Sequence, residues 1–463
     1  MNVARCIELH NEIVRLGWEG MGQAPEDFHP KTWFEHHGGA AQKARRKFSS
    51  DLVQFLQGAY EVPESNQQHG VQYFHYYATA LLSPGDDMFA LLDGLCKPTW
   101  VNQYEQHHGN LKDGGGLGRY VRLYYANNLV SHPEGLIFDQ EKNMAIMSMS
   151  IHNSDELCDS GRIKWYPLED ILAAWLDMIR TGKVKAVGPD TEFRPWELAP
   201  YTDHQVNEAV EVFDKLVAAI KAAMPAQEPK ERNVSDSLID KKTLDAAHIP
   251  AGFAYDFLTR ARRPSFRFIA PGLSLQTPST IADQPFFGVL ESVREDHREW
   301  FDSPPFLLFR SSLMYNRPSP HPNIYPEDVF GYPFSLETYP AGLYLHEVDQ
   351  GNNQHSDAVS LVLPYAIGGK GWARKGDGTL FGENVHDELA NSKNQHDELY
   401  QTGRQPFIKS HPVRLVQVLK SWVAMVERGD WKVGADGVSS GMNEWKKADT
   451  RSGWEKYFIS PEW

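Results

Sequence analysis

Two apolar runs enclose a polar segment in Ala341-Gly342-Leu343-Tyr344-Leu345, His346-Glu347-Val348-Asp349 and, after a short Gln/Gly/Asn loop, His355-Ser356-Asp357 and Val359-Ser360-Leu361-Val362-Leu363. The two apolar runs predict two buried strands joined by a polar connection. Two imidazoles and three carboxylates thus lie at strand ends within twelve residues. Because strand ends hold side chains at an accessible rim, this connection is the first candidate for a functional site.

The rest of the second half continues this strand-rich pattern. Short bulky runs predict further strands at Phe266-Arg267-Phe268-Ile269-Ala270 and at Phe306-Leu307-Leu308-Phe309. Helical spacing of apolar residues predicts a late helix from His411 to Arg428, which Gly429 is placed to end. Residues 251–463 are therefore predicted to form an α/β region that carries the candidate site.

The first 225 residues are predicted to be mainly helical. Apolar residues at 3.6-residue spacing indicate one helix from Pro167 to Arg180, with Gly182 as its end. A second helix is predicted from Asp203, as N-cap, to Met224. Residues 226–250 begin with a polar, proline-broken segment and are predicted to be a linker or surface excursion. The fold class expected is α/β or α+β.

Bulk composition excludes several classes of protein. A chain of 463 residues with 41% hydrophobic and 23% charged residues is expected to fold into two or three domains. Its formal charge of −15 argues against general binding to DNA or to anionic membranes. Three scattered cysteines form no disulfide framework, and no apolar run reaches the length of a membrane span. A cytoplasmic protein is the expectation.

The polar connection supports three interpretations. His346, His355 and either Asp349 or Glu347 have the donor types of a facial metal site, although their spacing matches no established ligand pattern. Alternatively, a carboxylate such as Asp349 or Asp357 acts as a general base or acid with one of the histidines as its partner. The third interpretation is a polar hairpin with a purely structural role. Whether a metal or another cofactor binds stays open.

A basic segment leads into the first predicted strand of the second half. Arg260, Arg262, Arg263 and Arg267 lie within eight residues, and guanidinium groups suit phosphate or carboxylate ligands. The strand that follows ends before Ser274, which is a candidate nucleophile. The competing interpretation is an exposed basic edge followed by an ordinary turn.

Two acidic segments remain. On a helix, Glu299 shares a face with Glu295 and lies beside Asp296, an arrangement that can bind an amine or a metal. A solvated amphipathic helix explains the same pattern. His386-Asp387-Glu388-Leu389 recurs as His396-Asp397-Glu398-Leu399, and we predict a solvated helical or loop surface for both copies.

Two sequence segments resemble known proteins. Arg260-Ala-Arg-Arg-Pro-Ser-Phe-Arg-Phe-Ile-Ala-Pro-Gly-Leu and Asp449-Thr-Arg-Ser-Gly-Trp-Glu-Lys-Tyr-Phe resemble a large family of fungal proteins of this length, whose motifs specify no reaction. Glu295-Asp296-His297-Arg298-Glu299 is similar to the Asp-Asp-x-x-Glu motif of fungal arginine-containing cyclodipeptide synthases, from which it departs at its first position. That resemblance implies secondary metabolism with aminoacyl-tRNA as substrate.

Three functions are therefore expected in order. The first is tRNA-dependent cyclodipeptide formation from arginyl-tRNA. In it, the arginine segment binds phosphate, Asp296 and Glu299 bind a cationic side chain, and Ser274 carries an acyl group. The second is a metal- or acid/base-dependent enzyme that acts on a small metabolite through His346, Asp349 and His355, with Glu347 and Asp357 contacting substrate. The third is a non-catalytic binding protein, because thirteen tryptophans suit a ligand cavity.

Overall fold

The computed structural model describes residues 1–63, 72–85, 88, 119–127, 135–148, 164–225, 237–292, 303–317, 329–349, 354–381, 396–403, 405–408 and 413–463. Helices and sheets occur together, with helices at the N-terminus and mixed strands and helices in the second half. The predicted fold class is therefore confirmed. Because the strand pairs are antiparallel with one exception among the described residues, α+β is the apt description.

The first half holds a helical layer and a small sheet. Its first two helices have side-chain caps: Asn2 caps one, and Thr32 and Glu35 form a capping box on the other. The helices are α1 (Val3–Gly20), α2 (Trp33–Ala44), α3 (Ser50–Gly58), α4 (Leu168–Arg180) and α5 (Asp203–Ala223). The strands are β1 (Ala78–Leu81), β2 (Tyr120–Ala126), β3 (Gly135–Asp139), β4 (Met144–Ser148), β5 (Val184–Ala186) and β6 (Trp196–Leu198).

The mainly helical first half is confirmed, and the antiparallel sheet β1-β2-β3-β4 is an addition that the sequence did not predict. All five residues of β3 are buried, so the strand shows no alternation of polar and apolar side chains. A short continuous apolar run of this kind cannot be distinguished from a buried helical segment by periodicity.

The second half is built on one eight-stranded sheet in the order β14-β13-β10-β9-β8-β7-β16-β15. The two strands predicted around the polar connection pair antiparallel, with Gly342 opposite Val362 and Leu345 opposite Val359. The remaining elements are α6 (Lys241–Ala246), α7 (Phe253–Arg260), β7 (Phe268–Ala270), β8 (Leu273–Leu275), β9 (Phe306–Asn316), β10 (Thr338–Leu345), β11 (Val348–Asp349), β12 (Gln354–His355), β13 (Val359–Ile367), β14 (His396–Glu398), α8 (Leu415–Glu427), β15 (Val433–Gly434), β16 (Gly437–Val438) and α9 (Trp454–Tyr457).

Helices α5 and α8 cover one face of this sheet, which we call the inner face. The Phe309 ring on β9 lies 6.2 Å from the Phe213 ring of α5 and 6.0 Å from the Trp422 ring of α8. Leu343 and Leu361, on adjacent strands, are fully buried in the same core. The opposite, outer face carries a separate aromatic cluster around Phe286, Phe330 and Tyr344.

The predicted helices exist, and their ends refine the prediction. Thr202, rather than Asp203, caps α5, because its side chain accepts from the Gln205 N–H. The late helix begins at Leu415, later than predicted. Arg414 forms a β-bridge with Ala358 instead, so the backbone before α8 extends the sheet.

Part of the predicted linker belongs to the core. Residues 226–236 lie outside the described part, but Leu238, Ile239, Leu244 and Ile249 are at most 5% exposed. Ile239 donates its N–H to the Leu258 carbonyl of α7. These four apolar side chains, which follow the polar opening of the segment, rule out an exposed excursion over 237–250.

Asp449, the first residue of the second segment that resembles the fungal family, has a structural role. Its buried carboxylate accepts four backbone N–H groups: Oδ2 accepts from Gly368 and Lys370, and Oδ1 accepts from Trp372 and Ala373. One side chain thereby fixes the loop that follows β13. Hydrogen bonds to an ionised acceptor are the stronger kind, so this loop is held firmly.

Candidate active site on the outer face of the sheet

The outer face brings together polar side chains from three adjacent strands. Tyr344 on β10 stands opposite Ser360 on β13, and Val362 on β13 stands opposite Glu398 on β14. Directly opposed residues of antiparallel strands project from the same face, as do residues two apart on one strand. Ser360, Tyr344 and Glu398 therefore share the outer face.

His346 extends this row past the end of β10. Its backbone N–H donates to the Ala358 carbonyl at 2.9 Å, which continues the ladder, and it follows Tyr344 by two residues. Its ring meets the Phe330 ring edge-on at 5.0 Å, within the outer aromatic cluster. The structure thus places one of the predicted site histidines on the outer face.

Aromatic rings form the apolar part of this site. The Phe286 and Phe330 rings lie 5.1 Å apart, and Phe330 lies 5.1 Å from Tyr344. The Tyr344 hydroxyl donates to the Pro340 carbonyl, so this group is already engaged. All three rings are fully buried, so the cluster is a packed apolar core beside His346.

The two titratable groups of the site have pKa values shifted in opposite directions. Burial lowers the pKa of the His346 imidazole to about 4, so the ring is neutral at pH 7. Burial raises the pKa of the Glu398 carboxyl to about 7, against the opposing effects of a hydrogen bond with Ser360 and the charge of Lys375. Glu398 nevertheless stays partly exposed. An accessible carboxyl that titrates near pH 7 is suited to proton transfer.

The spacing of the two groups suits a small molecule. His346 is level with Ala358 and Glu398 with Val362, so they are two strands and four residues apart. With ~4.8 Å per strand and ~3.4 Å per residue, their Cα atoms are roughly 16 Å apart. A ligand that contacts both groups would span the rim of this face, because Tyr344 and Ser360 between them are 0% and 4% exposed.

Sequence reasoning missed Glu398. The second copy of the His-Asp-Glu-Leu repeat was predicted to be a solvated helix or loop, yet Glu398 belongs to strand β14, and the first copy lies outside the described residues. The available signal was Leu399, the last residue of the repeat, together with Tyr400, which follows it; they are 4% and 3% exposed. Two apolar residues at the end of the repeat argue against a solvated surface.

The other predicted residues of the polar connection lie elsewhere. His355 is fully buried, and its Nε2 hydrogen-bonds the Tyr77 hydroxyl at 3.2 Å, toward the first-half core. The Ser356 hydroxyl donates to Glu347 at 2.7 Å. His346 and His355 therefore serve different cores, which corrects the hypothesis of one His346–His355 site.

A metal site is likewise not assembled by the residues that the structure describes. No group of three His, Cys, Asp or Glu side chains among them is placed to hold a metal ion. The side chain of Asp349 lies outside the described part of the chain. His346, Glu347 and His355 alone do not form the predicted facial arrangement.

Asp357 was predicted to contact substrate, but it belongs to a buried ion pair on the inner face. Its Oδ2 accepts from Arg414 Nε at 2.7 Å and from Gln205 Nε2 at 2.9 Å. All three residues are at most 4% exposed. The pair joins β13 to the starts of α5 and α8, so its role is structural.

Lys183 is a second buried charge that the sequence did not single out. Its Nζ donates to the carbonyls of Ala199, Pro200 and Gln354, at 2.6, 2.9 and 2.6 Å. Burial lowers the Lys183 pKa, and the Asp357 carboxylate acts in the opposite direction. Three acceptors use all three hydrogens of the charged ammonium, which thereby ties the end of α4 to the polar connection.

The four arginines of the basic segment have two kinds of environment in the structure. Arg260 forms ion pairs with Asp203 and Asp256 at 2.6 and 3.2 Å. Arg263 donates to two backbone carbonyls, at 2.6 and 3.0 Å. Two of the four predicted phosphate contacts are therefore engaged inside the protein. Arg262 and Arg267 are exposed, and the Arg267 guanidinium lies 5.1 Å from the centre of the neighbouring Phe268 ring.

The structure describes the predicted nucleophile but not the predicted acidic pair. Ser274 lies in β8, opposite Arg310, and its hydroxyl donates to the Arg310 carbonyl at 3.0 Å. A strand residue with this bond is not presented on a sharp turn, as a nucleophilic serine would be. Asp296 and Glu299 lie outside the described residues.

No protein-family model, curated protein or solved structure matches the chain. The resemblance to fungal proteins and to cyclodipeptide synthases therefore stays a prediction. No helix in the described ranges combines the length and the apolar character needed to cross a membrane.

Proposed function

We propose that the protein is an enzyme that transfers protons to or from a small organic molecule bound on the outer face of the eight-stranded sheet. Glu398 is the general acid or base, and His346 is a neutral hydrogen-bonding partner. The observation that supports this most strongly is the register of β10, β13 and β14, which gives both groups one face beside an aromatic cluster.

Each group has a chemical reason for its role. With a pKa of about 7, the Glu398 carboxyl is present in both protonation states near neutral pH, which a general acid or base requires. Neutral His346 has one ring nitrogen that donates and one that accepts, so it orients a polar substrate group without adding charge. Phe330 packs edge-on against the His346 ring at 5.0 Å and thereby orients it.

The test is a comparison of metabolites. Purified protein is incubated with a microbial small-molecule extract, and mass spectrometry compares the wild type with the Glu398→Gln variant. We expect the wild type to consume and produce specific compounds that the variant leaves unchanged. Glu291→Gln, which removes an exposed acid, is the matched control and is expected to behave as the wild type.

Two outcomes contradict the proposal. One is a wild-type protein that alters no compound relative to heat-inactivated protein. The other is an equal turnover by wild type and Glu398→Gln. Binding of a compound without turnover would instead favour the non-catalytic alternative.

Cyclodipeptide formation from arginyl-tRNA is a narrower proposal of the same kind, because it also needs proton transfer at an amine. It rests on the resemblance and on the exposure of Arg262 and Arg267. Incubation with charged tRNA is expected to yield a diketopiperazine. A wild type that turns over an extract compound but gives no diketopiperazine would remove only this narrower proposal.

A further inference from the structure

A cleft lined by other residues has the composition of a second binding site. Its volume is about 530 Å³, and its walls come from α4, the start of α5 and the segments at 407, 414 and 461–463. Three aromatic side chains line it: Tyr166, Phe407 and Trp463. Because none of its lining residues belongs to the outer-face site, the cleft is distinct from the proposed active site.

The cleft carries an excess of negative charge. Asp170, Asp177, Glu208 and Glu462 line it, and Glu208 is paired with Lys420 at 2.9 Å and with Arg414 at 3.7 Å. Its buried cation, Arg414, is committed to Asp357 at 2.7 Å and also lies over the Trp463 ring at 4.5 Å. Asp170 and Asp177 are exposed, and both belong to α4.

Tyr166 supplies an observation independent of these carboxylates. The residue is 8% exposed, and its ring lies 5.0 Å from that of Phe407. Its buried hydroxyl oxygen has no hydrogen-bond partner in the described part of the chain. Buried hydroxyl groups normally have a partner, so this unpartnered oxygen, in a residue that lines the cleft, indicates a place for a ligand donor.

We infer that this cleft binds an organic cation, an amine or a guanidinium carried on a short apolar stem. The carboxylates of Asp170 and Asp177 attract the charge, the Tyr166 oxygen accepts one N–H, and the aromatic rings contact the stem and the cation. The rings already attract cations of the protein itself, since Lys164 Nζ lies 4.9 Å from the Tyr166 ring centre.

The test uses two probes of equal shape that differ in charge, butylguanidinium and butylurea. Calorimetric titration of the full chain at low salt is expected to show saturable binding of butylguanidinium and none of butylurea. Added salt is expected to weaken the binding, because exposed carboxylates provide part of the attraction. Absence of saturable binding, or equal binding of both probes, overturns the inference.

Variants locate the binding. Asp170→Asn and Asp177→Asn keep the side-chain shape and are each expected to weaken butylguanidinium binding on the order of fivefold. Asp177 accepts a hydrogen bond from Trp463 Nε1 at 2.8 Å, and the amide oxygen introduced by Asp177→Asn can still accept it, so the fold should survive. Tyr166→Phe removes only the open hydroxyl and is expected to weaken binding about threefold.

Glu197→Gln is the matched control, because it removes one exposed negative charge outside the cleft. Its affinity for butylguanidinium is expected to equal that of the wild type. If Glu197→Gln weakens binding as much as Asp170→Asn, the attraction belongs to the overall negative charge and the inference is wrong. Circular dichroism of each variant confirms that it folds.

Discussion

The two faces of the eight-stranded sheet use polar side chains in different ways. On the inner face, Asp357 accepts hydrogen bonds from Arg414 and Gln205 at 2.7 and 2.9 Å, and all three residues are closed off from solvent. On the outer face, Glu398 is partly exposed, and burial shifts its pKa toward neutrality. Charges paired within the protein serve its stability, whereas a shifted and accessible group is available for chemistry.

The largest effect is expected from breaking the inner pair. Arg414→Met leaves the Asp357 carboxylate buried without its guanidinium, and the free energy of unfolding should fall by about 3–5 kcal/mol. Urea denaturation measures it. Lys420→Met breaks the partly exposed Lys420–Glu208 bridge instead, and its cost should stay below about 1 kcal/mol. Equal losses in the two variants would contradict the structural role of the inner pair.

The next effect concerns activity on the outer face. Glu398→Gln removes the titrating proton and should lower turnover of the substrate found in the extract by about 100-fold or more. Its thermal stability at pH 4 should match that of the wild type, because the wild-type carboxyl is then mostly protonated in both the folded and the unfolded states. If Glu398→Gln lost its fold together with its activity, Glu398 would have a structural role like that of the inner-face pair.

The pH dependence of stability separates the two outer-face groups. The folded-state pKa of Glu398 is raised from 4.5 to about 7, so the folded protein binds more protons and its stability falls as the pH rises through this range. Removing the group in Glu398→Gln should therefore stabilise the protein at pH 8, relative to the wild type, by about 2 kcal/mol. Denaturant titrations at pH 5 and pH 8 measure the difference.

For His346, stability should change with pH in the opposite direction. Its pKa is lowered from 6.5 to about 4, so the unfolded chain binds more protons and stability falls as the pH drops through this range. His346→Gln should lose less stability than the wild type between pH 6.5 and pH 4, by about 2 kcal/mol, as measured by denaturant titrations at these two pH values. An unchanged slope would mean that His346 is solvated, contrary to its contact with Phe330.

The sequence predicted the strands and helices better than the polar side chains of the two faces. Strands β10 and β13 follow from their apolar runs. Gly182 and Gly429 follow the ends of their helices as predicted, with φ of +75° and +70°. His346 was found because it directly follows a buried strand. Glu398 was missed, since its pKa depends on which residues stand opposite β14 across the sheet. Side-chain partners between distant segments, such as His355 with Tyr77, leave no periodic trace in the sequence.

The smallest effect is expected from Ser274, which tests whether the outer face works through covalent catalysis. Its hydroxyl donates to the Arg310 carbonyl, so Ser274→Ala should cost at most about 1 kcal/mol of unfolding free energy. Turnover should stay within about twofold of the wild type, because proton transfer by Glu398 needs no serine nucleophile. A loss of activity as large as that of Glu398→Gln, with trapping of an acyl group on Ser274, would restore the serine as nucleophile and reject the acid–base proposal.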